Sequence, residues 1–164
     1  MEIRVVGPEE YDAVGDLTVE AYREFVPDEP SAGWEDYLHS LHDVRGRAVK
    51  TVVLAAFDGG VPVGTATIEM EHTLGDDDEE VPEGTAILRM LGVAPGARGR
   101  GVGRELVEET IDRARRAGKH TLLLRTTHRM QVAQAMYRSM GFQRDPSLDQ
   151  HYPDVDLIGY RLEL

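Results

Sequence analysis

The chain has 164 residues with a formal net charge of -12 at pH 7, and this length predicts one domain over residues 1–164 that buries a full core. It contains no cysteine, which excludes a disulfide framework, a thiolate nucleophile and a cysteine-ligated metal, and which suits a reducing cytoplasm. The acidic total disfavours general binding to nucleic acid, and we expect neither a secretory signal nor a membrane span.

A short strand and two helices are predicted at the start of the chain. The strand covers residues 3–5. Apolar residues keep helical spacing over residues 8–26, and a second helix starts near Ser31. His39 and His42 lie three residues apart on this second helix, but no third ligand is evident. We therefore predict no metal site.

A hairpin and an acidic run follow. Residues 51–57 and 61–72 predict two strands, because Asp58-Gly59-Gly60 between them is a hairpin turn signal. Five acidic residues then stand in a row from Asp76 to Glu80. A calcium loop spaces its acids and places a glycine between them, so a solvated loop is the prediction, and steering of a cationic partner is the alternative.

The strongest functional signal lies between residues 86 and 118, where a buried strand leads through a glycine-rich turn into an amphipathic helix. Such a turn presents the helix's free N–H groups, and the missing side chains let a ligand approach the backbone. It is therefore an anion site, most naturally for phosphate, and three arginines surround it in an acidic protein. The predicted phosphate-binding residues are Arg98, Gly99, Arg100, Gly101, Val102, Gly103 and Arg104.

Spacing separates this turn from two other phosphate motifs. A P-loop needs a lysine after its last glycine, and none follows Gly103. A dinucleotide fingerprint needs G-x-G-x-x-G, whereas the glycines here are Gly99, Gly101 and Gly103 with Arg104 next. A tight turn without a ligand remains the alternative.

A strand, a helix and a final strand complete the chain. Residues 121–125 predict a short buried strand, residues 130–140 a helix that Gly141 caps, and residues 155–164 a strand with one buried face. The whole order, β-α-α-β-β-β-α-β-α-β-β, predicts an α/β fold in which helices cover both faces of a mixed sheet.

Two motifs resemble signatures of the GCN5-related N-acetyltransferase (GNAT) superfamily. Arg98, Gly101 and Gly103 fit the family's pyrophosphate loop, [Q/R]-x-x-G-x-[G/A]. About forty residues later, Ala133-x-x-Met136-Tyr137-x-x-x-Gly141-Phe142 resembles the second signature, A-x-x-[L/M]-Y-x-x-x-G-F. The resemblance implies the acyl-CoA N-acyltransferase fold, with acetyl-CoA as cofactor and its pyrophosphate in the glycine-rich turn.

The resemblance also implies roles for individual residues. The family's fourth strand carries a bulge that separates it from the fifth, and its backbone at Leu91, Gly92 and Val93 would pair with pantetheine. The N–H group of Leu91 would polarise the thioester carbonyl. Tyr137 would be the general acid that protonates the leaving thiolate, and packing against the sheet is the alternative. The asparagine that the family often has seven residues before this tyrosine is Met130 here.

The general base departs from the family pattern. Many members place Glu or His on the fourth strand, but the corresponding residues here are Ile87 and Arg89, neither of which is a base. Glu71, partly buried near the end of the preceding strand, is therefore the predicted base, with Glu69 and His72 as its neighbours in sequence and water as the remaining option.

We therefore predict a cytoplasmic N-acetyltransferase that transfers an acetyl group from acetyl-CoA directly to an amine of a small molecule or a protein. Since dimers are common in the superfamily, a homodimer is one expected state. The alternative is a non-catalytic acyl-CoA-binding sensor or interaction module of the same fold, which the missing base supports and Tyr137 opposes. A nucleotide-phosphate enzyme is disfavoured because the P-loop lysine is absent.

Overall fold

A computed structural model describes residues 1–71 and 81–164 of the protein. Within these residues one eight-stranded sheet carries five α-helices. The strands are β1 (Glu2–Val5), β2 (Val52–Asp58), β3 (Val61–Glu69), β4 (Thr85–Val93), β5 (Thr121–Thr127), β6 (Gln143–Arg144), β7 (Gln150–Tyr152) and β8 (Val155–Glu163). The helices are α1 (Tyr11–Tyr22), α2 (Ala32–His42), α3 (Val44–Arg47), α4 (Val102–Arg116) and α5 (Gln131–Ser139).

The sheet is mixed. Its order is β1-β2-β3-β4-β5-β8-β6, and β7 pairs with β8. β4 and β5 run parallel, whereas every other pair is antiparallel. The predicted fold class is confirmed. The structure adds α3, and it has three strands after α5, namely β6, β7 and β8, where the predicted order has two. The predicted acidic loop at residues 76–80 and His72 lie outside the described residues.

Helices cover both faces of the sheet, as strand alternation shows. Leu54 and Ala56 of β2 point into the larger core, which α4 and α5 close. Val53, Ala55 and Phe57 point the other way, into a smaller core beneath α1 and α3. α4 and α5 therefore cover one face of the sheet, and α1 and α3 cover the other.

The central strands and α4 owe their position to apolar burial. Leu106 of α4 and Leu122 of β5 are fully buried in the larger core. Burial of one such leucine contributes about 1.5 to 3 kcal/mol. This packing fixes the first turn of α4 beside the carboxyl end of β4, where the candidate site lies.

Candidate active site

A bulge interrupts β4 close to its carboxyl end. Thr67 of β3 pairs with Arg89, but Thr65 pairs with Gly92. β4 therefore has one residue more than β3 between these two pairs. Met90, inside this bulge, has φ of 50° and is the one non-glycine residue with positive φ in the described part of the chain. The bulge that the resemblance implied is thus present.

β4 and β5 separate directly after the bulge begins. Their parallel pairing ends at Leu88 and Leu124, whereas β5 continues to Thr127 by pairing with β8. Within residues 1–71 and 81–164, the backbone edge of β4 from residue 89 to residue 93 therefore has no strand partner on the β5 side. Leu91, Gly92 and Val93 all lie on this open edge, where an extended amide chain finds N–H and C=O groups to pair with.

The glycine-rich turn joins the end of β4 to α4. Gly99 and Gly101 have φ of 75° and 84°, a region that favours glycine, and Gly101 is the N-cap of α4. The first backbone bond of the helix runs from the N–H of Glu105 to the C=O of Gly101, at 3.0 Å. The N–H groups of Val102, Gly103 and Arg104 consequently precede any helical acceptor and point out of the helix end.

The space around the turn fits a phosphate-bearing ligand. A Cβ atom built on Gly99 would meet no atom within 4 Å, and one built on Gly101 would meet only the Glu105 carboxylate, at 3.9 Å. A Cβ on Gly103 would lie 3.6 Å from Val93 and 3.7 Å from the sulfur of Met136. The turn is thus open on one side and borders the end of β4 and α5 on the other.

The three arginines of the turn make bonds to other parts of the protein. Arg98 donates to the C=O of Val93 at 3.3 Å and to the C=O of Ala21 at 3.2 Å, and it also pairs with Glu24. It therefore ties the turn to the C-terminal end of α1. This guanidinium thus helps to position the turn.

The other two guanidinium groups also have protein partners. Arg100 pairs with Asp58 at 2.7 Å, which lowers the pKa of that carboxyl below its usual value. Arg104 donates to the hydroxyl of Ser139 at 2.6 Å and so links α4 to α5. The sequence predicts three cations around the turn. In the structure each of these guanidinium groups contacts a residue that is distant in sequence.

Tyr137 lies on α5 within the larger core. Its ring packs against Phe142 and Tyr160, with centroid distances of 5.5 and 6.3 Å. Burial raises the pKa of the Tyr137 hydroxyl well above its usual value, so the phenol keeps its proton at neutral pH. Tyr137 therefore packs in the core, and its hydroxyl also has the protonated state that a general acid needs.

An aromatic cluster faces the bulge from the α1 and α2 layer. Tyr22 contacts Tyr37 edge to face, with ring centroids 6.3 Å apart, and burial raises the pKa of the Tyr22 hydroxyl. Met90 and Met130 pack against the same cluster. Nothing in the spacing of the sequence indicates that Met90 and Met130 lie together here.

The acidic candidates for the base occupy different surroundings. Glu71 lies just beyond β3 and is exposed, so the expected partial burial is not found. Glu69, on β3, is buried, and its carboxylate lies 3.3 Å from the guanidinium of Arg89. Glu69 is thus the carboxylate with the lower exposure, and it lies one strand from the open edge of β4.

Two further observations concern metals and membranes. In residues 1–71 and 81–164, no three His, Asp or Glu side chains gather as metal ligands, and His42 instead lies 3.1 Å from Asp16. In that same part of the chain, none of the helices has the length and apolar character needed to cross a bilayer.

Comparison with known proteins identifies the relatives of this chain. The model of the acetyltransferase (GNAT) family matches residues 11–142. N-alpha-acetyltransferase RimI of Mycobacterium tuberculosis is 40% identical over 91 residues, which cover 56% of this chain and 51% of that protein. The matched part of the chain thus spans about half the length of this curated relative.

Two solved structures have the same fold. Ribosomal-protein-alanine N-acetyltransferase from Brucella melitensis superposes with a TM-score of 0.69 and 23% identity, covering 100% of both chains. The structure of yncA, a putative acetyltransferase from Salmonella typhimurium with its cofactor acetyl-CoA, gives the same TM-score and identity and covers 100% of this chain and 94% of its own.

Proposed function

The chain belongs to the acetyltransferase (GNAT) family, and we propose that it transfers an acetyl group from acetyl-CoA directly to an amine. The observation that carries this proposal is the open edge of β4, which lies beside the free N–H groups of α4. One element suits an extended amide chain and the other suits a pyrophosphate, and coenzyme A contains both groups in that order.

The glycine-rich turn and β4 would hold the cofactor. The N–H groups of residues 101–104 would bind the pyrophosphate, and the backbone of Leu91, Gly92 and Val93 would pair with pantetheine. The open space at Gly99 and Gly101 supports this assignment, because in the described part of the chain only the Glu105 carboxylate, 3.9 Å from a Cβ built on Gly101, comes near it. When bound, acetyl-CoA supplies the activated acetyl group.

Two groups of the chain would act on the reacting atoms. The N–H group of Leu91, at the bulge, would donate to the thioester oxygen and stabilise the negative charge that develops there. Tyr137 would hold a proton on its Oη atom and deliver it to the departing sulfur. The place of Tyr137 in the second signature supports this role, and a phenol keeps its proton at neutral pH before transfer begins.

The amine must lose a proton, and we propose Glu71 as the group that accepts it, directly or through water. Its exposure suits exchange of that proton with solvent. Glu69 is the second candidate because it is buried beside Arg89, close to the open edge. Substituting each carboxylate separately distinguishes them.

For the acceptor, we propose the α-amino group of a polypeptide, with small-molecule amines as the alternative. The names of two relatives support this class: the Mycobacterium tuberculosis protein is an N-alpha-acetyltransferase, and the Brucella melitensis protein is a ribosomal-protein-alanine N-acetyltransferase. Action as a single cytoplasmic domain, and assembly as a homodimer, remain predictions that fractionation and light scattering test.

An acceptor panel tests the proposed function. The protein is incubated with acetyl-CoA and with three acceptors: a peptide with a free N-terminus, the same peptide with a blocked N-terminus and one lysine, and a small polyamine. Mass spectrometry of the products is expected to find acetylation of the first. Acetylation of the others alone would correct the acceptor class, and coenzyme A binding without any product would support the non-catalytic binding module.

A further inference from the structure

An open groove of about 490 Å³ runs along α1 beside the turn that precedes α4, and Arg100 of that turn is among its lining residues. We name it the α1 groove, and define it as the space between α1, residues 61–63 of β3 and residues 94–100. Its floor is apolar, and it includes Leu17, Val63 and Ala97. Val61, at its edge, is 62% exposed.

One wall of the α1 groove carries acidic side chains. Asp16 and Glu20 are four residues apart on α1, so both project from one face of the helix, and both are exposed. Asp12, one turn earlier, extends the same exposed stripe. Asp16 has His42 as a neighbour at 3.1 Å, whereas the Glu20 carboxylate makes no ion pair within the described residues.

The single arginine that lines the groove does not offset this charge. Arg100 lines the groove, but its guanidinium is already paired with the Asp58 carboxylate at 2.7 Å. The groove therefore combines an apolar floor with an acidic wall, and it calls for an occupant that is both apolar and cationic. The overall charge of -12 also attracts cations and repels nucleic acid.

The spacing of the acids suits an extended polypeptide. Four residues of α-helix advance about 6 Å, and two residues of an extended chain, which separate side chains on one face, advance about 6.7 Å. Alternate basic side chains could therefore reach Asp16 and Glu20 in turn, while the side chains between them contact the apolar floor. We propose that the α1 groove docks a basic, apolar-containing segment of the acceptor polypeptide. This proposal rests on the proposed function in taking the partner to be the acceptor.

The groove lies close enough to the reaction site to matter for an acceptor. Its wall at Ala94 is bonded to β3, from the N–H of Ala94 to the C=O of Val63 at 2.9 Å, and it follows the open edge of β4 directly. Arg98 holds the same turn to the end of α1. A polypeptide anchored here would be held on the protein while its amine reaches the bulge.

Direct binding tests the proposal independently of acetyl transfer. The probe is a short synthetic peptide of alternating lysine and leucine, titrated into the protein without acetyl-CoA and followed by calorimetry. The double variant Asp16→Asn/Glu20→Gln removes both charges with little change in shape, and Glu108→Gln/Asp112→Asn on α4 is the matched control, since both of its residues are exposed. Loss of two exposed ion pairs is expected to weaken binding between about twofold and thirtyfold, and the control is expected to bind as the wild type does.

Two further measurements separate docking from general charge attraction. Val61→Thr should weaken binding of the lysine and leucine peptide but not of a lysine and glycine peptide, since only the first contacts the apolar floor. If the proposed function holds, the KM for a basic polypeptide acceptor rises in the double variant while kcat and the KM for acetyl-CoA are unchanged. Equal binding by the wild type and the double variant, or equal losses in the double variant and its control, would overturn the proposal even if acetyl transfer is found.

Discussion

Gly103→Val is expected to prevent coenzyme A from binding while leaving the fold intact. In the wild type, a Cβ atom at residue 103 would lie 3.6 Å from Val93 and 3.7 Å from Met136, which is ordinary van der Waals contact. Alanine therefore fits without strain. Valine adds two methyl groups beyond that Cβ, and since Val93 and Met136 occupy one side, at least one methyl must enter the space in front of the helix N-terminus.

The expected loss of affinity for coenzyme A follows from the interaction between the pyrophosphate and the helix N-terminus, which the methyl group would prevent. A negative charge at a helix N-terminus gains about 0.3 to 2 kcal/mol from the helix dipole alone, and steric exclusion of the pyrophosphate adds to that. We therefore expect affinity for coenzyme A to fall by at least about tenfold, which corresponds to about 1.4 kcal/mol. Gly101 is a less informative position, because its φ of 84° makes any side chain cost about 1 to 2 kcal/mol of strain.

Titration calorimetry with coenzyme A gives the answer, and thermal melting reports on the fold. Gly103→Ala is the matched control and should bind within about threefold of the wild type, well under the 1.4 kcal/mol that marks tenfold. If Gly103→Val binds coenzyme A as tightly as the wild type, the pyrophosphate does not lie at this turn and the cofactor assignment is refuted.

Four other changes have definite expected outcomes. Tyr137→Phe should lower kcat by about 10²- to 10⁴-fold at unchanged affinity for coenzyme A, and a loss under about threefold in steady-state kinetics would return the residue to a packing role. Glu71→Gln should abolish the acidic limb of the kcat/KM profile, and profiles that superimpose would exclude this base. Gly92→Ala would place a Cβ 2.9 Å from the Cβ of an α1 side chain and should destabilise the fold by about 1 to 3 kcal/mol in denaturant titrations, whereas Gly96→Ala, with no atom within 4 Å, should not. Arg4 lowers the pKa of the Glu10 carboxyl to about 2. The stabilisation of the fold by this ion pair is therefore complete above the unfolded pKa near 4.3 and is lost as pH falls through about 2. The difference in Tm between Glu10→Gln and the wild type should shrink over that range.

The turn between β4 and α4 could be predicted from sequence because local chemistry determines it. The hydrophobic period changes from that of a strand to that of a helix across Gly99, Gly101 and Gly103, and two of these glycines do adopt positive φ. Gly103 has no such φ, and its small size instead keeps space between β4 and α5. Glycine thus serves two purposes in this turn, backbone conformation and small size, and the sequence alone does not distinguish them.

Contacts between distant parts of the chain could not be predicted in this way. Arg98 bonds to Ala21, and Ser31 donates its N–H to Asp154, 123 residues further along, at 2.8 Å. Sequence spacing contains no information on such partners because they depend on the path of the whole chain. The bulge at Met90 was implied by the family resemblance alone, since the residue pattern around it is that of an ordinary buried strand.

Very short elements and the exposure of Glu71 could not be predicted from the sequence either. α3 and β6 have four and two residues, too few to show a hydrophobic period. Glu71 was expected to be partly buried because the strand before it was predicted to reach residue 72. β3 ends instead at Glu69, and this shorter strand leaves Glu71 exposed.

The most direct test of the account is a matrix of initial rates in which acetyl-CoA and a peptide with a free N-terminus are both varied, with release of the coenzyme A thiol as the readout. Direct transfer predicts thiol release that requires the peptide, with double-reciprocal lines that intersect. Parallel lines would indicate a covalent acetyl-enzyme, and thiol release independent of every amine tested, or none while coenzyme A binds, would contradict the proposed acetyltransferase activity.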